Sequence, residues 1–142
     1  MDCKKRDLEL WTVCRMHRKL AISKMYEEGL NPGQPPILEA LWQSDGCTQS
    51  GLSKRCHLEP ATITSTLSTM ERDGLVERRS DPADRRVWRI FLTERGREAH
   101  DAVCRVHSSV SGICFEGFSE EETEQMLGYI ERMIGNMRDR VE

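Results

Sequence analysis

The stretch Asp73-Gly74-Leu75-Val76-Glu77-Arg78-Arg79-Ser80-Asp81-Pro82-Ala83-Asp84-Arg85-Arg86-Val87-Trp88-Arg89-Ile90-Phe91-Leu92-Thr93 decides how this chain is read. Residues 75–79 and 87–92 are short runs rich in β-formers, and residues 80–85 between them are a turn by composition. Together they predict a β-hairpin with an arginine-rich tip. Working back from Gly74, Ile63, Leu67 and Met70 are spaced four and three, which marks one face of a helix. Glu59-Pro60 supplies an acid and a proline at its start, where both belong. Thr62, Thr64, Ser65, Thr66, Ser68 and Thr69 fill the rest of that helix. Hydroxyl side chains compete for backbone hydrogen bonds and form helices poorly, so something other than propensity must explain this face. Further back, Thr48 is an N-cap for a short helix over Gln49–Cys56, weakened by Gly51 by about 1 kcal/mol relative to alanine. His57-Leu58 makes a brief break between the two helices.

Outside this block the chain reads as helix. Leu10, Val13 or Cys14, His17, Leu20 or Ala21, and Met25 form a stripe over residues 7–28, and Gly29 suits the left-handed position after a helix. Asn31-Pro32-Gly33-Gln34 reads as an N-cap, a proline at the first helical position and a glutamine three on. The short helix so begun is expected to bury Leu38, Leu41 and Trp42, with Pro35-Pro36 deforming or delaying its first turn. Ser44-Asp45-Gly46 is a turn. Beyond the hairpin, Thr93 caps a long helix from Glu94 to Cys114 or Phe115, whose stripe is Ala99, Val103, Val106, Val110 and Ile113. Ser119-Glu120-Glu121-Glu122 is a capping box. It opens a last helix with Met126, Leu127, Ile130, Met133, Ile134 and Met137 on a wide apolar face.

At 142 residues the chain fits one ordinary domain. Hydrophobic content is 37% and charged content 32%, and no apolar run approaches the ~20 residues of a membrane helix. The acidic residues near the N-terminus argue against a secretory signal, so a cytoplasmic protein without membrane association is expected. The six cysteines are then read as thiols, and none stands in C-x-x-C. No Gly-rich phosphate loop, H-E-x-x-H or G-x-S-x-G occurs, which leaves no case for an enzyme or a bound cofactor. The net charge of −3 hides an uneven distribution. Residues 46–97 carry ten basic against seven acidic side chains, and residues 116–142 carry three against eight. A polyanion would dock on the basic part.

Two short helices followed at once by a basic hairpin make a winged helix-turn-helix. The expected fold class is therefore mainly α with a small β-hairpin wing, set between N- and C-terminal helices. A helix of small hydroxyl residues can approach base edges in the major groove of double-stranded DNA. An arginine-tipped hairpin suits the negative potential of an adjacent minor groove. Lys54, Arg55, Arg78 and Arg79 stand where phosphate contacts would hold the register. The apolar stripes after residue 93 exceed what so small a domain needs to cover itself, and such surface usually marks an interface.

The chain resembles the MarR (multiple antibiotic resistance regulator) family. The resemblance runs from Gly29-Leu30-Asn31-Pro32-Gly33-Gln34 through Leu41-Trp42 and Leu52-Ser53 to Met70-Glu71-Arg72-Asp73-Gly74-Leu75-Val76-Glu77-Arg78. It is most specific in Asp81-Pro82-Ala83-Asp84-Arg85-Arg86 and Leu92-Thr93-Glu94-Arg95-Gly96. It implies a single domain over residues 1–142, with a DNA-binding portion at 29–96 and dimerisation helices at 1–28 and 97–142. It further implies a homodimeric transcription regulator, a repressor released from a near-palindromic site by a small effector. By the family pattern Arg86 enters the minor groove beside Arg85, Asp84 braces it, and Thr62, Thr64 and Ser65 line the recognition helix. Ala61 and Ser65 depart from the serine and arginine common there, which leaves the recognition helix without a guanidinium to read guanine. Pro35-Pro36 replaces an aromatic and a polar residue.

Family members respond to small aromatic or phenolic anions, to metals or to thiol oxidation. Trp11, Met16 and His17 are the candidates to line an apolar effector pocket. Cys14, amid Arg15, His17 and Arg18, and Cys56, beside Lys54, Arg55 and His57, are the redox candidates, since nearby cations favour the thiolate. His100, Cys104 and His107 share a helix face that suits a transition metal, although no acidic ligand accompanies them by spacing and a metal site is not assigned. Two alternatives to effector release stand beside it: a thiol-based redox regulator, and a protein-binding winged-helix adaptor.

Overall fold

The computed structural model describes residues 2–141. Its elements are α1 (Cys3–Glu27), α2 (Pro35–Gln43), β1 (Cys47–Thr48), α3 (Gln49–Cys56), α4 (Pro60–Arg72), β2 (Val76–Ser80), β3 (Trp88–Leu92), α5 (Glu94–Cys114) and α6 (Glu120–Val141). They fall into two compact units, Met1–Val110 and Ser111–Glu142.

In the first unit, Ile37, Leu38 and Leu41 of α2, Leu52 of α3, Ile63, Leu67 and Met70 of α4, and Ile90 of β3 are fully buried together. The four-and-three spacing on α4 therefore does mark its inner face. Val103, Val106 and Val110 of α5 join the same core, with Ala102, which the stripe had not included. α1 contributes only half-buried Leu20, Ala21 and Met25, and none of its residues is fully buried. It begins four residues earlier than the apolar stripe suggests, because Asp2 accepts the Lys4 N–H (3.0 Å) as N-cap.

One expectation is corrected and two are sharpened. The second helix starts at Pro35, so of the two effects expected of Pro35-Pro36 the delay is the one that occurs. A helix begun at Pro32 would place Pro35 and Pro36 where backbone N–H groups must bond back four residues, and proline has none to give. Residues 31–34 instead close a turn ahead of the helix, with Gln34 N–H donating to the Asn31 carbonyl (3.0 Å) and Asn31 N–H to Gln34 Oε1 (3.1 Å). Second, Trp42 is not buried but 49% exposed. One ring face lies parallel on His100 (4.3 Å between centroids), and His100 is itself buried with Nε2 2.9 Å from Glu39 Oε2. Third, the expected hairpin forms from β2 and β3 and gains a third strand at its edge, an antiparallel sheet in the order β1-β3-β2. Cys47 pairs with Ile90 and Thr48 with Arg89, and two residues are too short for any alternation to announce a strand.

Polar groups tie the sheet to its neighbours in addition to the buried Val76, Ile90 and Leu92. The Asp45 carboxylate accepts the Leu92 N–H (2.9 Å) and the Gly46 N–H (3.2 Å), and pairs with Arg97 (3.2 Å). Thr93 caps α5 as expected, accepting from Gly96 N–H (3.0 Å) while its hydroxyl donates to the Gly74 carbonyl (2.6 Å). Here α5 meets β2 so closely that a Cβ on Gly96 would lie 2.0 Å from the Leu75 carbonyl oxygen.

In the second unit the capping box forms: Ser119 N–H donates to Glu122 Oε2 (2.8 Å) and Glu122 N–H to Ser119 Oγ (3.2 Å). Met126, Leu127, Ile130, Ile134 and Met137 of α6 are all 39–48% exposed. Ile113, expected in the α5 stripe, is 47% exposed.

Candidate nucleic-acid interface

α4 is the second helix of the helix-turn-helix. Burial of Ile63, Leu67 and Met70 turns Ala61, Thr62, Thr64, Ser65 and Ser68 outward. The hydroxyls are not equivalent. Thr64 donates to the Pro60 carbonyl (2.9 Å), Ser68 to that of Thr64 (2.9 Å) and Thr69 to that of Ser65 (3.3 Å). A hydroxyl has one proton, so Thr64 presents only acceptor capacity outward. That suits a base edge offering an amino group, as adenine and cytosine do in the major groove.

Gln49, at the start of α3, was not singled out by sequence. Its amide donates to Thr64 Oγ1 (2.6 Å) and accepts from Arg78 (3.4 Å), while Arg78 Nε bonds Glu71 Oε2 (3.1 Å). One chain of side chains therefore links α3, the recognition helix and β2. Arg78, expected at phosphate, is half-buried and already engaged by Glu71 and Gln49. Arg79 is ion-paired to Glu77 and covers the Phe91 ring at 4.7 Å.

The wing tip is folded by its acids. Asp81 is nearly buried, accepts the Ala83 N–H (2.8 Å) and pairs with Arg89, which in turn donates to the Gly46 carbonyl (3.0 Å). The Ala83 N–H, and after it Arg89, hold the Asp81 carboxyl below the usual carboxylate range. Asp84 accepts the Arg86 N–H (3.0 Å), and its carboxylate is 3.7 Å from Arg86 Nε. That loose pair leaves the Arg86 side chain 95% exposed. Arg85 and Lys54 are exposed with no ion pair among the described residues. Arg55 reaches only the Cys47 sulfur (3.6 Å). Among the described residues of this surface, the cations left free or only loosely paired are thus Lys54 and Arg55 on α3 and Arg85 and Arg86 on the wing. Trp88, 54% exposed at the start of β3, is a further feature that the strand pattern did not flag.

The effector and redox candidates are dispersed. Trp11, Cys14, Met16 and His17 are exposed on α1, with Arg15 5.3 Å over the Trp11 ring. Cys56 is half-buried, its thiol facing the Pro36 carbonyl (3.4 Å), and burial pushes its pKa up against the pull of Arg55. That is the wrong direction for a reactive thiolate. Cys104 Sγ is 3.9 Å from His100 Nδ1, yet no group of three metal-ligating side chains is gathered among the described residues.

Comparison with known proteins agrees with this geometry. The MarR family profile matches residues 30–88. The transcriptional regulator HosA of Escherichia coli O111:H- is 30% identical over 74% of this chain and 78% of its own length. The transcriptional repressor YetL of Bacillus subtilis is 30% identical over 80% of this chain, and the match covers 66% of YetL. Among solved structures, a MarR transcriptional regulator from Methanosarcina mazei Go1 superposes with a TM-score of 0.79 at 25% identity, covering 97% of this chain and 99% of that one. A mutant of S. aureus MepR bound to an oligodeoxyribonucleotide aligns with a TM-score of 0.66 at 25% identity, over 93% of this chain and 97% of that one. The chain belongs to the MarR family of DNA-binding transcriptional regulators.

Proposed function

We propose that the protein is a homodimeric repressor that binds a near-palindromic operator and is released from it by a small effector. The observation that carries the DNA-reading part is the wing. Asp81 and Asp84 fold the loop through backbone N–H groups, so Arg85 and Arg86 project into solvent, and α4 turns Thr62, Thr64 and Ser65 outward. On this reading Arg86 enters the minor groove, Thr62, Thr64 and Ser65 meet base edges, and Lys54, Arg55 and Arg85 hold phosphates. Arg78 supports the surface from within, and Arg79, exposed but paired with Glu77, remains a phosphate candidate. The row of half-exposed apolar side chains on α6 supports dimerisation, since a chain in water does not leave such a face uncovered without a partner. YetL, a repressor, supports the sign of the regulation.

The test is selection of sites from random duplex DNA by wild type and by Arg86→Ala in parallel. Wild type should enrich a site with two-fold symmetry whose half-sites lie about one helical turn apart. Arg86→Ala should bind that site more weakly by at least about 1 kcal/mol. Enrichment of asymmetric sites, or equal affinity of the variant, would refute the dimeric, wing-dependent reading. Salt separates the adaptor alternative, because phosphate binding weakens steeply as salt rises and a protein-only surface does not.

A further inference from the structure

We infer that a polar cavity within the Met1–Val110 unit binds a small zwitterion of the α-amino-acid class. The cavity holds about 560 Å³ and opens between the end of α1, the turn at residues 31–34, the last turn of α4 and the first turns of α5. Its size lies in the ~300–1,000 Å³ range of small-molecule sites. Its lining is charged, however, and no aromatic side chain takes part. A phenolic effector would find no stacking partner there.

The charges sort themselves. Arg105 grips Glu28 through two bonds (3.1 and 2.8 Å), and Arg72 pairs with Asp73 (3.2 Å). These two guanidiniums are already neutralised. Arg95 and Glu98 remain, three residues apart on one face of α5, and neither has an ion pair among the described residues. Arg95 passes beside Gly74, with Nη1 3.4 Å and Cδ 4.0 Å from where a Cβ would stand, which places its side chain along the cavity wall.

Gln34 is the independent observation. It is only 4% exposed and lines the cavity. Its Oε1 is used by the Asn31 N–H, while its Nε2 donates to no group among the described residues. No fully enclosed side-chain nitrogen or oxygen among the described residues lacks a partner, so this amide nitrogen keeps some exposure, on a residue that lines the cavity. It offers donors to an anionic oxygen.

A simple anion would set its charge against Glu98, and a simple cation would set its charge against Arg95. A carboxylate on Arg95 and Gln34, with an ammonium on Glu98, satisfies all three groups at once. Arg72 and Asp73 end the recognition helix, so the occupied cavity bears on the element that reads DNA. This deepens the effector-release reading and rests on it for the consequence at DNA; ligand binding itself is independent of DNA.

The test is thermal unfolding of the full chain with each proteinogenic L-amino acid at millimolar concentration, and with acetate and ethylammonium as single-charge controls. At least one amino acid should raise Tm, and neither control should. In titration calorimetry Arg95→Gln and Glu98→Gln should each weaken that ligand by at least about tenfold while circular dichroism keeps the wild-type fold. The proposal is overturned if no amino acid raises Tm, if acetate acts equally, or if binding survives in both variants. Operator binding is measured separately. Loss of DNA binding with intact amino-acid binding would refute the regulator reading and leave this site standing.

Discussion

Replacing Gly96 with alanine sets two opposed effects against each other at the junction of wing and α5. Alanine inside a helix is favoured over glycine by about 1 kcal/mol, and propensity alone therefore promises a gain. The structure removes that gain. The new Cβ would stand 2.0 Å from the Leu75 carbonyl oxygen and 3.0 Å from Leu92 Cδ2, when real Cβ contacts below 3.0 Å essentially do not occur. Backbone cannot swing aside as a side-chain end can, so β2 and α5 must part by about 1 Å. That movement strains Thr93 N–H to Leu75 carbonyl (3.1 Å) and the Thr93 hydroxyl to Gly74 carbonyl (2.6 Å). Two hydrogen bonds at about 1 kcal/mol each, plus overpacking of about 1–3 kcal/mol, less the helical gain, leave a loss of about 2–4 kcal/mol. Urea unfolding reads it as a midpoint lowered by about 1–2 M at a slope near 2 kcal/mol/M. Gly112→Ala is the matched control on the same helix, because a Cβ there meets nothing within 4 Å. It should be neutral or stabilising by up to about 1 kcal/mol. Should Gly96→Ala match wild type, the close approach of β2 to α5 would be wrong, and with it the placement of the wing.

The other expectations concern the DNA face and its supports. Lys54→Ala and Arg85→Ala should each lower the salt slope of operator binding by about 0.9, so that a fourfold rise in salt narrows the gap to wild type by about 3.5-fold; unchanged slopes in gel-shift titrations would remove both from the phosphate contacts. Arg78→Ala should instead lower Tm and leave the slope nearly unaltered, because its guanidinium is engaged by Glu71 and Gln49. Asp45→Ala leaves the buried Leu92 N–H without its acceptor and should cost about 2–3 kcal/mol in denaturant unfolding; a loss below about 0.5 kcal/mol would show that water replaces the carboxylate. Asp81 has its folded pKa lowered by the Ala83 N–H and Arg89, so its stabilisation is complete above the usual carboxylate range near pH 4 and fades as pH falls below it. The stability gap between wild type and Asp81→Asn should therefore shrink below about pH 4, and a gap constant from pH 7 to pH 3 would contradict the assignment.

Features that depend on neighbours along the chain are legible in the residues alone. The helix faces of α4 and α5, the Thr48 and Thr93 caps, the Ser119 capping box and the hairpin all follow from periodicity, capping chemistry and turn residues within a few positions. So does the candidate DNA surface, since Thr62, Thr64, Ser65, Arg85 and Arg86 are exposed because their neighbours are apolar or turn-forming. Tertiary structure decided what depends on distant partners. β1 exists because β3 offers an unpaired edge to residues more than 40 positions away. Trp42 looked like core and is instead half-covered by His100, a residue 58 positions on. Arginine gives the sharpest contrast: by sequence Arg78 and Arg86 are both basic residues beside a turn. Glu71 and Gln49 close on the first, and only a loose contact with Asp84 restrains the second. A guanidinium's availability to DNA is a matter of which carboxylate the fold brings to it, and no local pattern encodes that.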